Sequence, residues 1–268
     1  MSEHTRQPGA DQLFTERTPR VVAARHLTKR VGRERSGRFL AEGAQAVREA
    51  LRYGQVHEVF VTATAAARNA EIVAEATQRD IPVSTVTDRA ADGLSETVTP
   101  QGIVAVCEQL DVALEDALKQ PRLVAVLVGV SDPGNAGTVT RVADSAGASA
   151  VIFAGDTVDP HNGKCVRAST GSVFHLPLAR SRDTMAVFDA CRAAGLRLVA
   201  ADGHAETDLT TADLSRPTAW VFGSEAHGLA PEFLAAVDEV VKVPIYGKAE
   251  SLNLATAAAV CLYANRLR

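Results

Sequence analysis

The chain has 268 residues, 46% of them hydrophobic and 22% charged, with a formal net charge of −4. That length holds one large or two modest domains, and the balance excludes collagen-like or wholly disordered classes. No apolar run reaches the ~18 residues of a membrane span and the N-terminus lacks a signal-peptide core, so a cytoplasmic protein with no membrane partner is expected.

Residues 1–16 are polar, include Pro8 and Gly9, and read as a disordered tail. Residues 17–38 carry eight basic side chains (Arg17, Arg20, Arg25, Lys29, Arg30, Arg33, Arg35 and Arg38) against one acid, Glu34. A +7 segment on an acidic chain fits a polyanion at one site; the plain alternative is a solvated basic helix. Residues 1–35 are therefore expected as a flexible basic lead-in, helical towards its end.

Residues 36–110 form a small alternating α/β unit. RFLAEGAQAVREALRYG has helical spacing and ends at Gly54, and TAAARNAEIVAEATQRD reads as a second helix. HEVFVTA, IPVSTVT and GIVAVCEQ read as strands. Residues 111–121 read as a connecting helix and linker closed by Pro121.

Alternation is stronger over 122–268. LVAVLVGV, AVIFAG, LRLVAAD, AWVFG and EVVKVPI are strand-like, with helical runs between them, which predicts a parallel sheet covered on both faces. The last run, LATAAAVCLYA, is apolar all round and is expected to be buried. Cys107, Cys165, Cys191 and Cys261 are far apart with no C-x-x-C pair, so they read as reduced, mostly buried thiols without a metal site.

Ligands of such sheets bind where loops leave the carboxyl ends of the strands, and three loops stand out. In VGVSDPGNAGTVTR, a helix start near Asn135 favours anions, and Arg141 suits phosphate; the plain reading makes Asn135 a cap and Arg141 a surface residue. The same loop also invites a nicotinamide-dinucleotide reading with Asp156 at the ribose, against which stand the spacing of Gly129, Gly134 and Gly137 and the presence of Pro133. In the second loop, Gly223 and Gly228 permit close backbone approach to a ligand, while Glu225 either accepts hydrogen bonds there or caps the helix begun at Pro231. In the third, Pro244–Asn253, Ser251 fits an N-cap, whereas Asn253 is an unfavourable interior helix residue.

Taken in order, Asn135–Arg141, Gly223–Leu229 and Val243–Ala257 resemble the motifs of the SpoU (TrmH-type) RNA 2′-O-ribose methyltransferases of the SPOUT class, and Lys164–Pro177 resembles the segment between the first two. Ser224 stands where many members have Asn. GRFLAEGAQAVREAL resembles the small substrate-binding domain that precedes this catalytic domain, similar to the ribosomal-protein L30e fold.

The resemblance implies a C-terminal SPOUT domain over 122–268 with a trefoil knot, an L30e-like domain over 36–110, and a homodimer through the C-terminal domain. It implies transfer of a methyl group from S-adenosylmethionine to a ribose 2′-OH, without a metal. Ribosomal RNA is the favoured substrate, transfer RNA the second, and some relatives confer thiopeptide resistance. Asn135, Arg141, Glu225, Ser251 and Asn253 would form the polar centre, with Glu225 and Asn135 orienting Arg141. A guanidinium that stays protonated suits a clamp on phosphate and 2′ oxygen better than a general base. Ala201, Gly223, Ile245, Leu252 and Leu254 would hold the methyl donor; Arg25, Arg30, Arg38 and Arg167 would contact RNA. The rivals are a nicotinamide-dependent oxidoreductase and a catalytically silent RNA-binding protein on the same fold.

Overall fold

The computed structural model describes residues 13–267, and the chain divides into two units between Gln109 and Leu110. The first unit runs α1 (Pro19–Arg25), α2 (Arg30–Ser36), β1 (Arg38–Glu42), α3 (Ala44–Tyr53), β2 (Val56–Val61), α4 (Ala63–Arg68), α5 (Ala70–Gln78), β3 (Val83–Thr85), α6 (Asp88–Asp92) and β4 (Ile103–Glu108). Its sheet has the order β1-β4-β2-β3, with β4 antiparallel to both neighbours.

Three features depart from the sequence reading. Residues 1–12 of the expected disordered tail lie outside the described residues, but the basic segment beyond them is folded rather than flexible. The Phe14 amide donates to Thr85 O at 2.8 Å. Phe14, Val21, Ala24 and Leu27 are buried with Phe60 and Val104, so the apolar side of the basic segment belongs to this unit's core. Second, Arg38–Glu42 is a strand, not the start of a helix. Phe39, Leu40 and Ala41 are buried in succession, and Gly43, at φ 93°, breaks the chain before α3. Third, the single helix expected over 63–79 is two, because Asn69 leaves helical geometry and its side-chain amide donates to Ala65 O at 2.8 Å.

The second unit contains α7 (Leu114–Ala117), β5 (Leu123–Val128), α8 (Pro133–Ser145), β6 (Ala150–Ala154), α9 (Gly163–Ser169), β7 (Leu178–Ser181), α10 (Thr184–Ala193), β8 (Arg197–Ala201), β9 (Thr207–Asp208), β10 (Thr218–Phe222), α11 (Pro231–Ala236), β11 (Glu239–Lys242) and α12 (Leu254–Ala264). The sheet order is β7-β6-β5-β10-β8-β11-β9, and every pairing is parallel. The expected parallel sheet is present, with β7, β9 and α9 added. The expected connecting helix shrinks to one turn, and Val112 instead donates to Leu178 O at 2.9 Å, extending the β7 edge.

The strand order positions the site. From β5 the chain steps outward to β6 and β7, then returns across the sheet to β8. Right-handed crossovers put α8 and α9 on one face and α10 on the other. The α10 face buries Val124, Val126, Ile152, Leu198 and Ala200 with Val187 and Phe188, and Phe233 of α11 packs there. Adjacent β5 and β10 therefore send their chains to opposite faces, which opens a crevice at their carboxyl ends. The four cysteines are buried, and burial pushes the Cys191 and Cys261 thiols up to about 12.

Helix α12 is only half buried. Ala255, Ala258, Cys261 and Leu262 are covered, but Val260 and Tyr263 stay 40% and 39% exposed. An all-apolar helix has two apolar faces, and α8 supplies a partner for one. Arg266, beyond its end, donates to the Ala146 and Gly147 carbonyls at the C-terminus of α8, at 2.6 and 2.9 Å.

Helices α8 and α9 meet at Gly137, where a Cβ would lie 2.3 Å from the Cys165 carbonyl oxygen. Gly137→Ala should cost about 1–3 kcal/mol through overpacking. Gly203→Ala, with nothing within 4 Å of the new carbon, should be near neutral. Chemical denaturation compares them; equal midpoints would mean the helices are free to separate.

Candidate functional site

Helix α8 opens with Asp132 as N-cap and Pro133 in the first turn, not with Asn135 as cap. Asp132 Oδ1 accepts the Asn135 amide at 2.8 Å, and Oδ2 accepts from Lys164 Nζ at 2.6 Å. The bond from Lys164, with that amide behind it, holds the Asp132 carboxyl below the usual range. The Asn135 side chain is thereby released from capping.

The loop after β10 is stapled to itself. Ser224 and Gly228 exchange amide-to-carbonyl bonds of 3.0 and 2.9 Å, and a Cβ on Gly223 would stand 2.3 Å from the Gly228 carbonyl carbon. Glycine at 223 is thus required by the loop's own backbone. Glu225, at the tip, does not cap α11, whose N-cap Ala230 has no side-chain bond. Its carboxylate accepts from Asn135 Nδ2 at 3.1 Å and from the Ser131 and Asp132 amides at 3.3 Å each. Partial desolvation pushes its carboxyl up, but the bonds from Asn135 and the amides outweigh it and leave it below the usual range.

Asn253, not Ser251, is the N-cap of α12, so it is not an interior residue. Its Oδ1 accepts from the Ala255 and Thr256 amides at 2.9 and 3.3 Å, and its Nδ2 donates to Asn135 Oδ1 at 3.0 Å. Two loops, about ninety and a hundred and twenty residues beyond the first, thus converge on it through Glu225, Asn253 and Asn135. Ser251 lies in the exposed stretch just before the cap.

Arg141 is exposed on α8, and neither Glu225 nor Asn135 bonds it; their bonds go to the 131–135 turn and to α12. Among the described residues it has no ion pair. Arg167 is half-buried in the last turn of α9. Ala201 is in register with Phe222 on one side and Val241 on the other, so Ala201, Gly223 and the end of β11 share the sheet's carboxyl edge. Ile245 and Leu252 are each 38% exposed, and Leu254 begins α12 half-buried. The dinucleotide reading fails here, since Asp132 and Pro133 open α8 and Gly137 is taken up against α9.

In the basic segment, Arg25, Arg30 and Arg38 are exposed. Arg30 pairs with Glu34 at 2.7 Å, and Arg38 lies 3.8 Å from Glu108. Arg33 is buried and donates to the Leu27 and Thr28 carbonyls at 3.0 and 3.1 Å, while Arg20 pairs with Glu58 at 2.8 Å. Those two cations serve the fold. The residues missed by sequence reasoning are Ser131, Asp132 and Lys164; an aspartate directly before Pro133 is an N-cap signal that could have exposed the second.

Because Glu225 is held as an anion by these bonds, the Ser131 amide resonance should shift as pH falls through its lowered range. The midpoint should lie below that of an ordinary glutamate, and Glu225→Gln should remove that transition, while the Asp132 amide keeps a shift from its own lowered carboxyl. A midpoint at the ordinary value, measured by NMR titration, would mean the bonds do not form in solution.

Residues 122–263 match the SpoU rRNA Methylase family, and residues 40–113 match the family described as RNA 2′-O ribose methyltransferase substrate binding. The chain is 32% identical over 253 residues to the 23S rRNA (guanosine(2553)-2′-O)-methyltransferase RlmP of Bacillus subtilis, covering 94% of this chain and 98% of that one. It is 41% identical over 138 residues to the 23S rRNA (uridine(2479)-2′-O)-methyltransferase of Streptomyces viridochromogenes, covering 50% of this chain and 48% of that one. The crystal structure of the rRNA methyltransferase of Sinorhizobium meliloti with bound S-adenosylmethionine superposes with a TM-score of 0.82 at 32% identity, covering 93% of this chain and 95% of that one. The three converging loops lie within the matched region, and the chain belongs to the SpoU rRNA methylase family.

Proposed function

We propose that this protein transfers the methyl group of S-adenosylmethionine to a ribose 2′-OH of ribosomal RNA. The observation that carries the reading is the convergence of Glu225, Asn135 and Asn253 at the carboxyl edge of a parallel sheet. The names of the relatives, which act on 23S rRNA, support the substrate class.

When bound, S-adenosylmethionine supplies an electrophilic methyl on a sulfonium. The site fits it: Ala201 and Gly223 offer backbone at neighbouring strand ends, and Ile245 and Leu252 leave apolar surface for an adenosine to cover. Transfer would form a carbon–oxygen bond at the 2′ oxygen as the methyl carbon–sulfur bond breaks and leaves a neutral thioether, with the hydroxyl proton passing to solvent. Arg141 holds the adjacent phosphate and stabilises charge growing on that oxygen. Glu225 positions rather than accepts the proton, because its lowered pKa makes it a weak base and its bonds go to the 131–135 turn. Asn135 and Asn253 keep that turn in register with α12, and exposed Ser251, just before that helix, hydrogen-bonds the reacting region.

Residues 122–268 act as the knotted catalytic domain and 36–110 as the RNA reader, divisions that the two family matches support. Thr256, Val260 and Tyr263 recur at helical spacing on the open side of α12, which supports a homodimer through this helix. Among the described residues no helix is long and apolar enough to cross a membrane, and a ribosomal RNA substrate points to the cytoplasm.

Calorimetric titration should show saturable S-adenosylmethionine binding, lost in Leu252→Asp, and no binding of NADH. Arg141→Ala should keep that binding yet lower methyl transfer to a 23S rRNA transcript by about a hundredfold or more. Strong residual turnover would remove Arg141 from the mechanism. Deleting residues 1–38 would break the first unit's core, so the basic segment is tested by substitution. Arg25→Gln, Lys29→Gln and Arg35→Gln together should lower the slope of log affinity against log salt by about 2 to 3; an unchanged slope would place the RNA elsewhere.

A further inference from the structure

A separate pocket of about 570 Å³ opens at the carboxyl ends of β5, β6 and β7. It lies on the side of the sheet that carries α10 and α11, opposite α8. Its walls include Val128, Gly129, Asp156, Arg182, Met185 and Phe233. The pocket reaches close to the candidate site: Gly129 is two residues before Ser131, whose amide meets Glu225, a backbone span of at most about 7 Å. Neither Asp156 nor Arg182 has a hydrogen bond or ion pair from its side chain among the described residues, and both are exposed. Met185 is 42% exposed although it stands at the start of α10, beside a buried core. One carboxylate, one guanidinium, a partly exposed thioether and an aromatic ring on the walls of one pocket are what a nucleotide needs. None of these residues takes part in the convergence of Glu225, Asn135 and Asn253.

We propose that this pocket receives a guanine nucleotide of the RNA, splayed out beside the ribose that is methylated. The inference rests on the methyl-transfer reading for its choice of RNA over other anions. RNA is read mainly in single-stranded loops whose bases can be splayed out, and a base displaced from its stack needs a new apolar surface. Met185, Val128 and Phe233 supply that surface. Arg182 pairs with the phosphate. Asp156 selects the base: guanine presents N1–H and N2–H side by side, so one carboxylate accepts both. Uracil offers a single N–H between two carbonyl oxygens, which a carboxylate repels. Adenine and cytosine each set an amino group beside a ring nitrogen acceptor, which leaves the second carboxylate oxygen opposed. The second carboxylate nearby, Asp183, already accepts the Ala186 amide at 3.0 Å as the cap of α10 and is not spare for the base.

The test is saturation-transfer NMR on the full chain with 5′-GMP, AMP, CMP and UMP as probes. GMP should show the strongest transfer, at its H8 and H1′ protons. Met185→Glu should reduce it at least tenfold, and Asp156→Asn should erase the preference over the other three. Both positions are on the surface, and unchanged calorimetric binding of S-adenosylmethionine will verify that the variants are folded. Equal transfer to all four nucleotides, or a GMP signal that survives both substitutions, overturns the proposal. A pentaribonucleotide with one central guanosine should bind at least tenfold more tightly than GMP; tighter binding of free GMP overturns the assignment to RNA. A parent protein that binds GMP selectively but no S-adenosylmethionine supports the pocket and overturns the methyl-transfer reading, so the two failures are distinguishable.

Discussion

The site depends on which way one amide faces. Asn253 caps α12, and the cap requires its oxygen to accept from the Ala255 and Thr256 amides. Its NH2 group is then the only part left to point outward, and it donates to Asn135 Oδ1. That bond turns the Asn135 NH2 toward Glu225. The carboxylate, an acceptor only, takes its remaining bonds from the Ser131 and Asp132 amides. Each step leaves the next group a single role, so the helix cap at one end of the chain fixes the turn that opens α8. An aspartate at 253 would cap as well but could not donate, and two acceptors would then face each other.

The same logic explains why α8 is held at both ends. Lys164 pins Asp132 at its N-terminus, and Arg266 covers the last carbonyls at its C-terminus. Trp220, fully buried in β10, donates to Asn265 at 2.7 Å, and the Asn265 amide bonds Leu214 O and Thr218 Oγ1 at 3.2 Å each. The residues just beyond α12 therefore tie it to the central sheet and to α8 at once. Exposed pairs such as Lys164 with Asp132 contribute little to stability; their value lies in fixing geometry where a few tenths of an ångström matter to transfer.

Much of the parallel sheet was legible because its strands are nearly uniform apolar runs. The short edge strands were not: Leu178–Ser181 has two outward residues, and Thr207–Asp208 has no apolar signal at all. The three loops were legible as motifs, but not their bonding. Polarity shows that Glu225 and Asn253 must be satisfied, while the choice of partner depends on loops brought together by the fold. Ser251 and Asn135 were credible caps on local rules, and the true caps lie two residues later and three earlier. In the basic segment, charge counting could not separate Arg33, spent on carbonyls six and five residues back, from the exposed Arg25 and Arg35. Nor could an apolar run reveal that α12 buries only one of its two sides.

Charge places a further demand on the catalytic unit. Residues 110–268 hold 14 basic and 18 acidic side chains, so their net field repels RNA. Several of those cations are already neutralised: Lys119 by Asp116, Lys164 by Asp132, Arg180 by Asp111, Arg192 by Asp238 and Arg197 by Glu239. Salt confines the influence of the rest to about 8 Å at physiological ionic strength. On this charge balance the basic segment is the one cluster of like charge able to act at range, while inside the second unit a cation acts only on a group it touches. Arg141 and Arg182, both without an ion pair among the described residues, stand on the chain segments that leave β5 and β7. Arg122, Arg216 and Lys248 are likewise exposed and carry no ion pair among the described residues, so what sets Arg141 and Arg182 apart is their place beside the carboxyl edge of the sheet rather than their lack of a partner.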